Sequence, residues 1–163
     1  MTNQDKTVLV TGGSGFIATH CILKLAAAGY KVKSTVRNLE RVPDLNKILD
    51  KAGSTYERLN KIEVDWVSAD LTKDEGWSEA VKGCDYVMHV ASPVALEEPK
   101  DENDLIVPAK EGTMRVLKAA AEEGIKKIVL TSSVAAIIYG HEKDSFNEED
   151  WTDTDAEGCS AYN

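Results

Sequence analysis

A glycine-rich turn between an apolar strand and a helix constrains the fold more than any other feature of this sequence. In VLVTGGSGFIATH, residues 8–20, Gly12, Gly15 and Ala18 directly follow a buried-strand pattern and open a helical one. The spacing supplies a glycine for a tight turn, a second that lets backbone amides approach an anion, and a small residue for close packing. Because a helix N-terminus favours negative charge, the turn predicts a nucleotide phosphate site. A strand-to-helix turn that binds nothing remains the alternative.

Short apolar runs alternate with stretches of helical period along the chain, which indicates repeated βα units. The predicted strands are 6–11, 30–36, 61–70, 84–90 and 126–133; the first, fourth and fifth are apolar enough to be buried on both faces. The predicted helices are 15–28, about 45–52, about 74–82 and about 102–123, each followed by a glycine. Residues 134–160 predict an acidic loop. The fold class is therefore α/β, a Rossmann-type doubly wound parallel sheet of at least five strands with flanking helices.

Size and charge narrow the classes of protein. With 163 residues, the chain has room for one domain, residues 1–163, and not for two. Its formal net charge of −9 disfavours nucleic acid and anionic membranes as partners, because both need a basic face. No apolar run approaches the ~20 residues that cross a bilayer, and no secretory leader opens the sequence. The cysteines and histidines lack metal-ligand spacing. We expect a cytoplasmic protein with reduced thiols and no metal.

The residue after the second strand distinguishes NADP from NAD in dinucleotide folds. An acid there binds the ribose 2′-hydroxyl of NAD, and a base accommodates the 2′-phosphate of NADP. STVRN, residues 34–38, places Arg37 at this position, with Arg41 nearby. We predict NADP, with NAD as the alternative, because an arginine can also be an ordinary surface cation.

Two serines and a tyrosine are candidates for chemistry. Ser132 and Ser133 end the fifth strand at the carboxyl edge of the sheet, where ligands bind in open α/β folds. A hydroxyl there can hold a carbonyl oxygen, or it can form ordinary hydrogen bonds with the backbone at a strand end. Tyr162 follows beyond the acidic loop. An unaided tyrosine, with a pKa near ~10, is a serviceable acid and a reluctant base.

Several motifs occur in the order and at the spacing of one known superfamily. Across residues 7–163, VTGGSGFIA, VRN, ADLT, HVASP, TSS and SAYN resemble the extended short-chain dehydrogenase/reductase superfamily, also called the NAD-dependent epimerase/dehydratase family. HVASP, PAKEGTMRVLKAA, VLTSSVAAI and DWTD are similar to its dihydroflavonol reductase and cinnamoyl-CoA reductase branch.

The resemblance implies roles for residues at each strand end. It implies that Ser133 polarises a substrate carbonyl, with Ser132 as second choice, and that Tyr162 donates the proton. A lysine at position 166, past the last residue given, would lower the pKa of that tyrosine. Asp70 would lie beside the adenine ring, although it can also cap the next helix. The implied cofactor-binding residues are Gly12, Gly15, Phe16, Ile17, Arg37, Asp70, Leu71, Val90, Ala91, Ser92, Ser132 and Tyr162, of which Val90, Ala91 and Ser92 would border the nicotinamide ribose.

The resemblance also implies an activity. It is the NADP-dependent reduction of an aldehyde or ketone, often aromatic, to an alcohol. An NAD-dependent sugar-nucleotide epimerase or dehydratase and a nucleotide-binding module without catalysis are the alternatives. Because members of the superfamily are longer, we expect residues 1–163 to be an N-terminal portion that lacks a substrate domain and is inactive alone. A carbonyl substrate and a homodimer of the longer protein are the implied partners.

Overall fold

The architecture is a parallel sheet with helices on both faces, seen in a computed structural model that describes residues 3–57, 59, 61–93, 101–156 and 159. The strands are β1 (Thr7–Val10), β2 (Lys31–Val36), β3 (Val64–Ser68), β4 (Tyr86–His89) and β5 (Lys127–Leu130). The helices are α1 (Phe16–Ala27), α2 (Val42–Ala52), α3 (Trp77–Val81), α4 (Asn103–Glu122) and α5 (Ala135–Ile138). All strand pairs are parallel, in the order β3-β2-β1-β4-β5. The predicted Rossmann-type doubly wound fold is confirmed.

Two apolar cores form, one on each face of the sheet. Successive strand residues point to opposite faces, so Leu9 of β1 belongs to one core and Val10 to the other. Ile22 of α1 packs with Val10, whereas Val116 of α4 packs with Leu9. The chain leaves β1 toward β2 and later returns to its other side as β4, which opens a crevice at the carboxyl ends of these strands.

Some predicted boundaries are wrong. β3 begins at Val64, and α3 begins at Trp77, after Gly76 takes φ +89°. Gly29 has the left-handed conformation expected after α1, but Gly53 has φ −59° and continues α2 into a π turn. The four-residue α5 lies inside the predicted loop.

The fifth strand is not buried on both faces in the described part of the chain. β5 is an edge strand, and the side chains of Val129 and Leu130 are 48% and 49% exposed. Its apolar sequence is typical of a strand buried on both faces, but burial also requires an element that covers the strand. No helix among the described residues is both long and apolar enough to cross a bilayer.

Candidate functional site

A cleft of about 470 Å³ opens at the carboxyl edge of the sheet, where β1 ends between β2 and β4. Neither Ser132 nor Ser133 is among the described residues that line it, and Tyr162 lies outside the described residues. The other predicted cofactor residues all line it, namely Gly12, Gly15, Phe16, Ile17, Arg37, Asp70, Leu71, Val90, Ala91 and Ser92. The structure thus brings together residues from four loops; their contact with a cofactor stays a prediction.

The glycine-rich turn is held on both sides by neighbouring strands. Gly12 has φ +71°, a conformation that favours glycine, and its amide donates to Thr35 Oγ1 over 2.9 Å. The Gly13 amide donates to the Thr35 carbonyl over 2.8 Å. A Cβ on Gly12 would lie 3.0 Å from the Ala91 Cβ, so the turn also packs closely against the loop after β4.

Gly13 has a packing role that the sequence did not reveal. A Cβ there would overlap Ser34 Oγ and would lie 2.6 Å from a ring carbon of Trp66. Both neighbours are held in place, because Ser34 Oγ donates to the Val10 carbonyl over 2.7 Å and Trp66 Nε1 donates to Asn46 Oδ1 over 2.9 Å. Gly13 therefore lets the turn lie directly on β2 and β3.

The first turn of α1 faces the cleft with unpaired amides. Gly15 is its N-cap, and no side chain caps the helix. Within the described residues, the amides of Phe16, Ile17 and Ala18 have no hydrogen-bond acceptor, whereas the Thr19 amide donates to the Gly15 carbonyl. A Cβ on Gly15 would meet only the Gly12 carbonyl, at 3.2 Å. Three free donors and the positive end of a helix dipole therefore lie behind an open glycine, which is the donor set that a phosphate anion requires.

A cation lies at the end of β2. Arg37 is exposed, lines the cleft, and forms neither a hydrogen bond nor an ion pair through its guanidinium with the described part of the chain. Asp70 is the nearby acid. Its pKa lies below the ordinary value, mainly because the Thr72 amide donates to it, with a smaller contribution from the charge of Arg37. At this end of the cleft, none of the described residues pairs with the guanidinium of Arg37.

The second predicted role of Asp70, as a helix N-cap, is wrong. Asp70 Oδ1 accepts from the Thr72 amide at 3.0 Å and from the Thr72 hydroxyl at 2.9 Å, whereas Gly76 caps α3. The side chain closes a short turn instead, which is a common use of aspartate in loops. Trp77 Nε1 donates to the Asp70 carbonyl over 3.2 Å and thereby ties this turn to α3.

Helix α4 supports the same wall of the cleft. Arg115 Nη1 donates to the Leu71 carbonyl over 3.1 Å, and its Nε binds Asp74. Gly112, one turn earlier, allows close approach, since a Cβ there would lie 2.8 Å from the Leu71 Cβ. The loop from Asp70 to Asp74 is therefore fixed from both α3 and α4.

The opposite wall follows β4. The amides of Val90 and Ala91 both donate to Thr11 Oγ1, over 3.0 and 2.9 Å. Thr11 is fully buried, and its hydroxyl also lies 2.8 Å from His89 Nδ1. Burial lowers the pKa of His89 to about 4, so this imidazole is neutral at physiological pH. The carboxyl ends of β1 and β4 are thus joined through the hydroxyl of Thr11.

The candidate catalytic serine has a local partner. Ser133 Oγ accepts from the Ala135 amide over 3.2 Å, so the ordinary strand-end hydrogen bond is present. This bond uses a lone pair and leaves the hydroxyl proton free to be donated. Ser132 is exposed. The roles of both serines and of Tyr162 in catalysis stay predictions.

The model of the 3-beta hydroxysteroid dehydrogenase/isomerase family matches residues 9–163. The chain belongs to this family. Dihydroflavonol 4-reductase of Zea mays is 38% identical over 155 residues, which make up 94% of this chain and 42% of the maize enzyme. The predicted membership of the extended short-chain dehydrogenase/reductase superfamily, and the likeness to dihydroflavonol reductases, are confirmed.

Two solved structures of longer proteins have the same fold. Gre2 from Candida albicans, in complex with NADPH, has a TM-score of 0.74 and 29% identity, covering 90% of this chain and 44% of that one. UDP-glucose 4-epimerase from Bifidobacterium longum, in complex with NAD⁺ and UDP, has a TM-score of 0.69 and 27% identity, covering 91% and 43%. The chain thus spans less than half the length of these relatives.

Sequence reasoning missed the threonines that organise the site of this family member. Thr11 and Thr35 are buried in β1 and β2 or at their ends, and Thr72 closes the turn after Asp70. A polar residue at the end of an apolar strand was the available signal for the first two, because a buried hydroxyl needs partners. In the part of the chain that the structure describes, no group of three or more His, Cys, Asp or Glu side chains could hold a metal ion.

Proposed function

We propose that the cleft binds NADP and that the full-length protein uses it to reduce a carbonyl group, an aldehyde or ketone that is often aromatic, to an alcohol. One observation carries the proposal: a single cleft is lined by the amides of Phe16, Ile17 and Ala18 and by the guanidinium of Arg37, all of which lack a partner among the described residues. A ligand with two separate anionic groups meets both sets of donors. NADP has such groups, the pyrophosphate and the 2′-phosphate.

The residues fit the parts of NADP in sequence along the cleft. The pyrophosphate takes the N-terminus of α1, where the Gly15 backbone presents no side chain. The 2′-phosphate takes Arg37, whose planar guanidinium matches a phosphate. Leu71 and Thr72, which line the cleft, would border the adenine, and Val90 would border the nicotinamide half. The NADPH complex of Gre2 supports the assignment, since that protein has the same fold.

Bound NADPH supplies the hydride that reduces the carbonyl carbon. The proton of the alcohol has to come from the protein or from water. Ser133 would hold the carbonyl oxygen with its hydroxyl proton, because the bond from the Ala135 amide occupies only a lone pair and the hydroxyl has no acceptor among the described residues. Tyr162 is the proposed proton donor, by the family resemblance of SAYN.

Cofactor preference is the first test. In the full-length protein, Arg37→Met is expected to weaken NADPH binding about 10- to 100-fold, the factor for losing a charge-assisted hydrogen bond to phosphate, and to leave NADH binding unchanged. Arg41→Met is the matched control, because Arg41 is also exposed after β2 but does not line the cleft. Isothermal titration of the wild type and both variants measures the effect. Wild-type preference for NADH would refute the NADP assignment.

The alternative is an NAD-dependent epimerase or dehydratase, which the similarity to the Bifidobacterium enzyme favours. The two activities differ in cofactor turnover. A reductase consumes added NADPH when it is given a panel of aldehydes and ketones. The rate of this consumption, followed as the loss of NADPH absorbance, should fall strongly in Ser133→Ala and Tyr162→Phe. Tightly retained NAD⁺ with interconversion of sugar nucleotides and no NADPH consumption would contradict the reductase and support the alternative.

A further inference from the structure

The hydroxyl of Thr11, which lies between β1 and the glycine-rich turn, joins this segment to the loop after β4. Thr11 Oγ1 lies 3.0 Å from the Val90 amide nitrogen, 2.9 Å from the Ala91 amide nitrogen and 2.8 Å from His89 Nδ1. A hydroxyl has two lone pairs to accept with and one proton to donate. All three capacities of this oxygen are therefore in use.

The number of hydrogen bonds that the Thr11 hydroxyl can form determines the protonation state of His89. Both amides can only donate, so they occupy the two lone pairs of the Thr11 oxygen. The Thr11 hydroxyl must then donate its hydrogen bond to His89 Nδ1. This nitrogen therefore acts as an acceptor and carries no hydrogen of its own. His89 is thus the neutral tautomer with its proton on Nε2. The other tautomer and the imidazolium would both present a third donor, Nδ1–H, to an oxygen whose two lone pairs already accept from the two amides.

The surroundings of His89 agree with this assignment. The residue is 1% exposed, and its Nε2 is buried without a hydrogen-bond partner within the described residues. Burial lowers the pKa of the imidazole to about 4, which keeps it uncharged. The fold therefore keeps the acceptor at Nδ1, although none of the described residues accepts from the donor at Nε2 and a buried donor without a partner is unfavourable.

We propose that His89 is a positioning residue of the cleft and acts through Thr11. By accepting the hydrogen bond from the Thr11 hydroxyl, His89 orients both lone pairs of that oxygen toward the amides of Val90 and Ala91. These residues border the cleft, and Ala91 packs against Gly12 closely enough that a Cβ on the glycine would lie 3.0 Å from the Ala91 Cβ. The imidazole thus fixes the nicotinamide side of the site relative to the phosphate side. The effect on cofactor affinity rests on the proposed function, whereas the tautomer and the held loop do not.

The tautomer can be observed without a cofactor. In the ¹⁵N-labelled full-length protein at neutral pH, two-bond ¹⁵N–¹H spectra should show His89 Nε2 protonated and Nδ1 unprotonated. The amides of Val90 and Ala91 should exchange slowly with solvent. A proton on Nδ1 would overturn the proposal, because Thr11 could then not donate to it.

Two amide substitutions separate positioning from general structure. His89→Asn places an acceptor near the position of Nδ1, whereas His89→Gln places it near the position of Nε2. We expect His89→Asn to keep the amide protection and the NADPH affinity within about twofold of wild type. His89→Gln and His89→Leu should lose protection at Val90 and Ala91 and should bind NADPH about five- to tenfold more weakly, the factor for one hydrogen bond of ordinary net strength.

A double substitution tests whether His89 acts through Thr11. In a Thr11→Val background, His89→Leu should cause no further loss of amide protection or affinity, because the hydroxyl that it orients is gone. Additive losses, or equal losses in the Asn and Gln variants, would overturn the proposal. If His89→Leu does not fold, the Asn and Gln pair gives the same comparison. If the wild type binds no NADPH, the proposed function fails, and amide exchange decides the positioning role alone.

Discussion

Replacement of Gly13 by alanine should destabilise the protein through overlap in the packing and not through backbone strain. Gly13 does not have a positive φ, so alanine can adopt its backbone conformation. Its Cβ would, however, overlap Ser34 Oγ and lie 2.6 Å from the Trp66 ring. The serine can move only by breaking its bond to the Val10 carbonyl, and the indole is tethered by its bond to Asn46.

The terms give a net cost for Gly13→Ala. Overpacking costs about 1–3 kcal/mol, and the lost Ser34 hydrogen bond costs about 1 kcal/mol. Alanine reduces the entropy of the unfolded chain, which offsets about 0.4–1 kcal/mol. The free energy of unfolding should therefore fall by about 1–3.5 kcal/mol.

Gly15→Ala is the matched control, because the added methyl group enters the cleft and not the core. Its Cβ would meet only the Gly12 carbonyl, at 3.2 Å, and Gly15 has φ −86°, which alanine accepts. Stability should change by less than about 0.5 kcal/mol, since the entropic gain offsets the one tight contact. NADPH affinity should fall about tenfold or more, as the methyl group separates the pyrophosphate from the α1 amides.

Urea unfolding of the full-length variants, followed by tryptophan fluorescence, measures the first effect, and NADPH titration measures the second. Gly13→Ala should lower the midpoint with an unchanged denaturant dependence. A Gly13→Ala variant as stable as wild type would refute the packing argument. A Gly15→Ala variant that binds NADPH normally would refute the placement of the pyrophosphate.

Three further predictions concern the titratable side chains of His89, Arg115 and Lys33. The pKa of His89 falls from 6.5 to about 4 on folding, so the unfolded state takes up this proton first as the pH falls, and stability is lost from about pH 6.5 downward. Between pH 7.5 and 5.5 this costs about 1.4 kcal/mol, and His89→Leu should lack that part of the pH dependence in urea titrations; equal slopes would contradict it. Arg115→Met should weaken 2′,5′-ADP and NADPH binding by equal factors, because Arg115 holds the carbonyl of Leu71, which would border the adenosine half in the proposed complex; an effect on NADPH alone would contradict this placement. Lys33→Met should lower the free energy of unfolding by about 1–3 kcal/mol, because the buried ammonium donates to the carbonyls of Glu79 and Lys82 at the end of α3; an unchanged urea midpoint would refute this.

Local signals were sufficient for the fold. Each strand of the sheet lies within a predicted apolar run, and the glycine-rich turn lies between β1 and α1, where its spacing predicted it. These features depend on residues within a few positions of one another, so periodicity and turn chemistry predict them. The boundaries of β3 and α3 were less predictable. Gly76 takes a left-handed conformation because the chain must turn against Ser68 and Ala69, and that contact is not visible in the local sequence.

The candidate site was predicted as a set of strand ends and not as a set of contacts. The sequence placed Arg37 and Asp70 after neighbouring strands, but it did not show that Asp70 binds Thr72 and leaves the guanidinium unpaired by the described residues. The apolar run of β5 is typical of a strand buried on both faces, but Val129 and Leu130 are half exposed in the described structure. An apolar pattern indicates which residues favour burial, whereas only the assembled fold shows what covers them.

The two walls of the cleft are held by contacts between residues far apart in the sequence. Arg115 donates to the Leu71 carbonyl in one wall, and Thr11 joins His89 to the Ala91 amide in the other wall. Each pair joins elements that become neighbours only when the parallel sheet forms. The glycine turn can therefore be recognised from sequence, while the geometry that would make it bind a dinucleotide depends on buried polar partners that no local motif specifies. For that reason, we expect substitutions at Arg115 and at His89 to weaken the binding of different halves of the proposed dinucleotide, although neither residue lines the cleft.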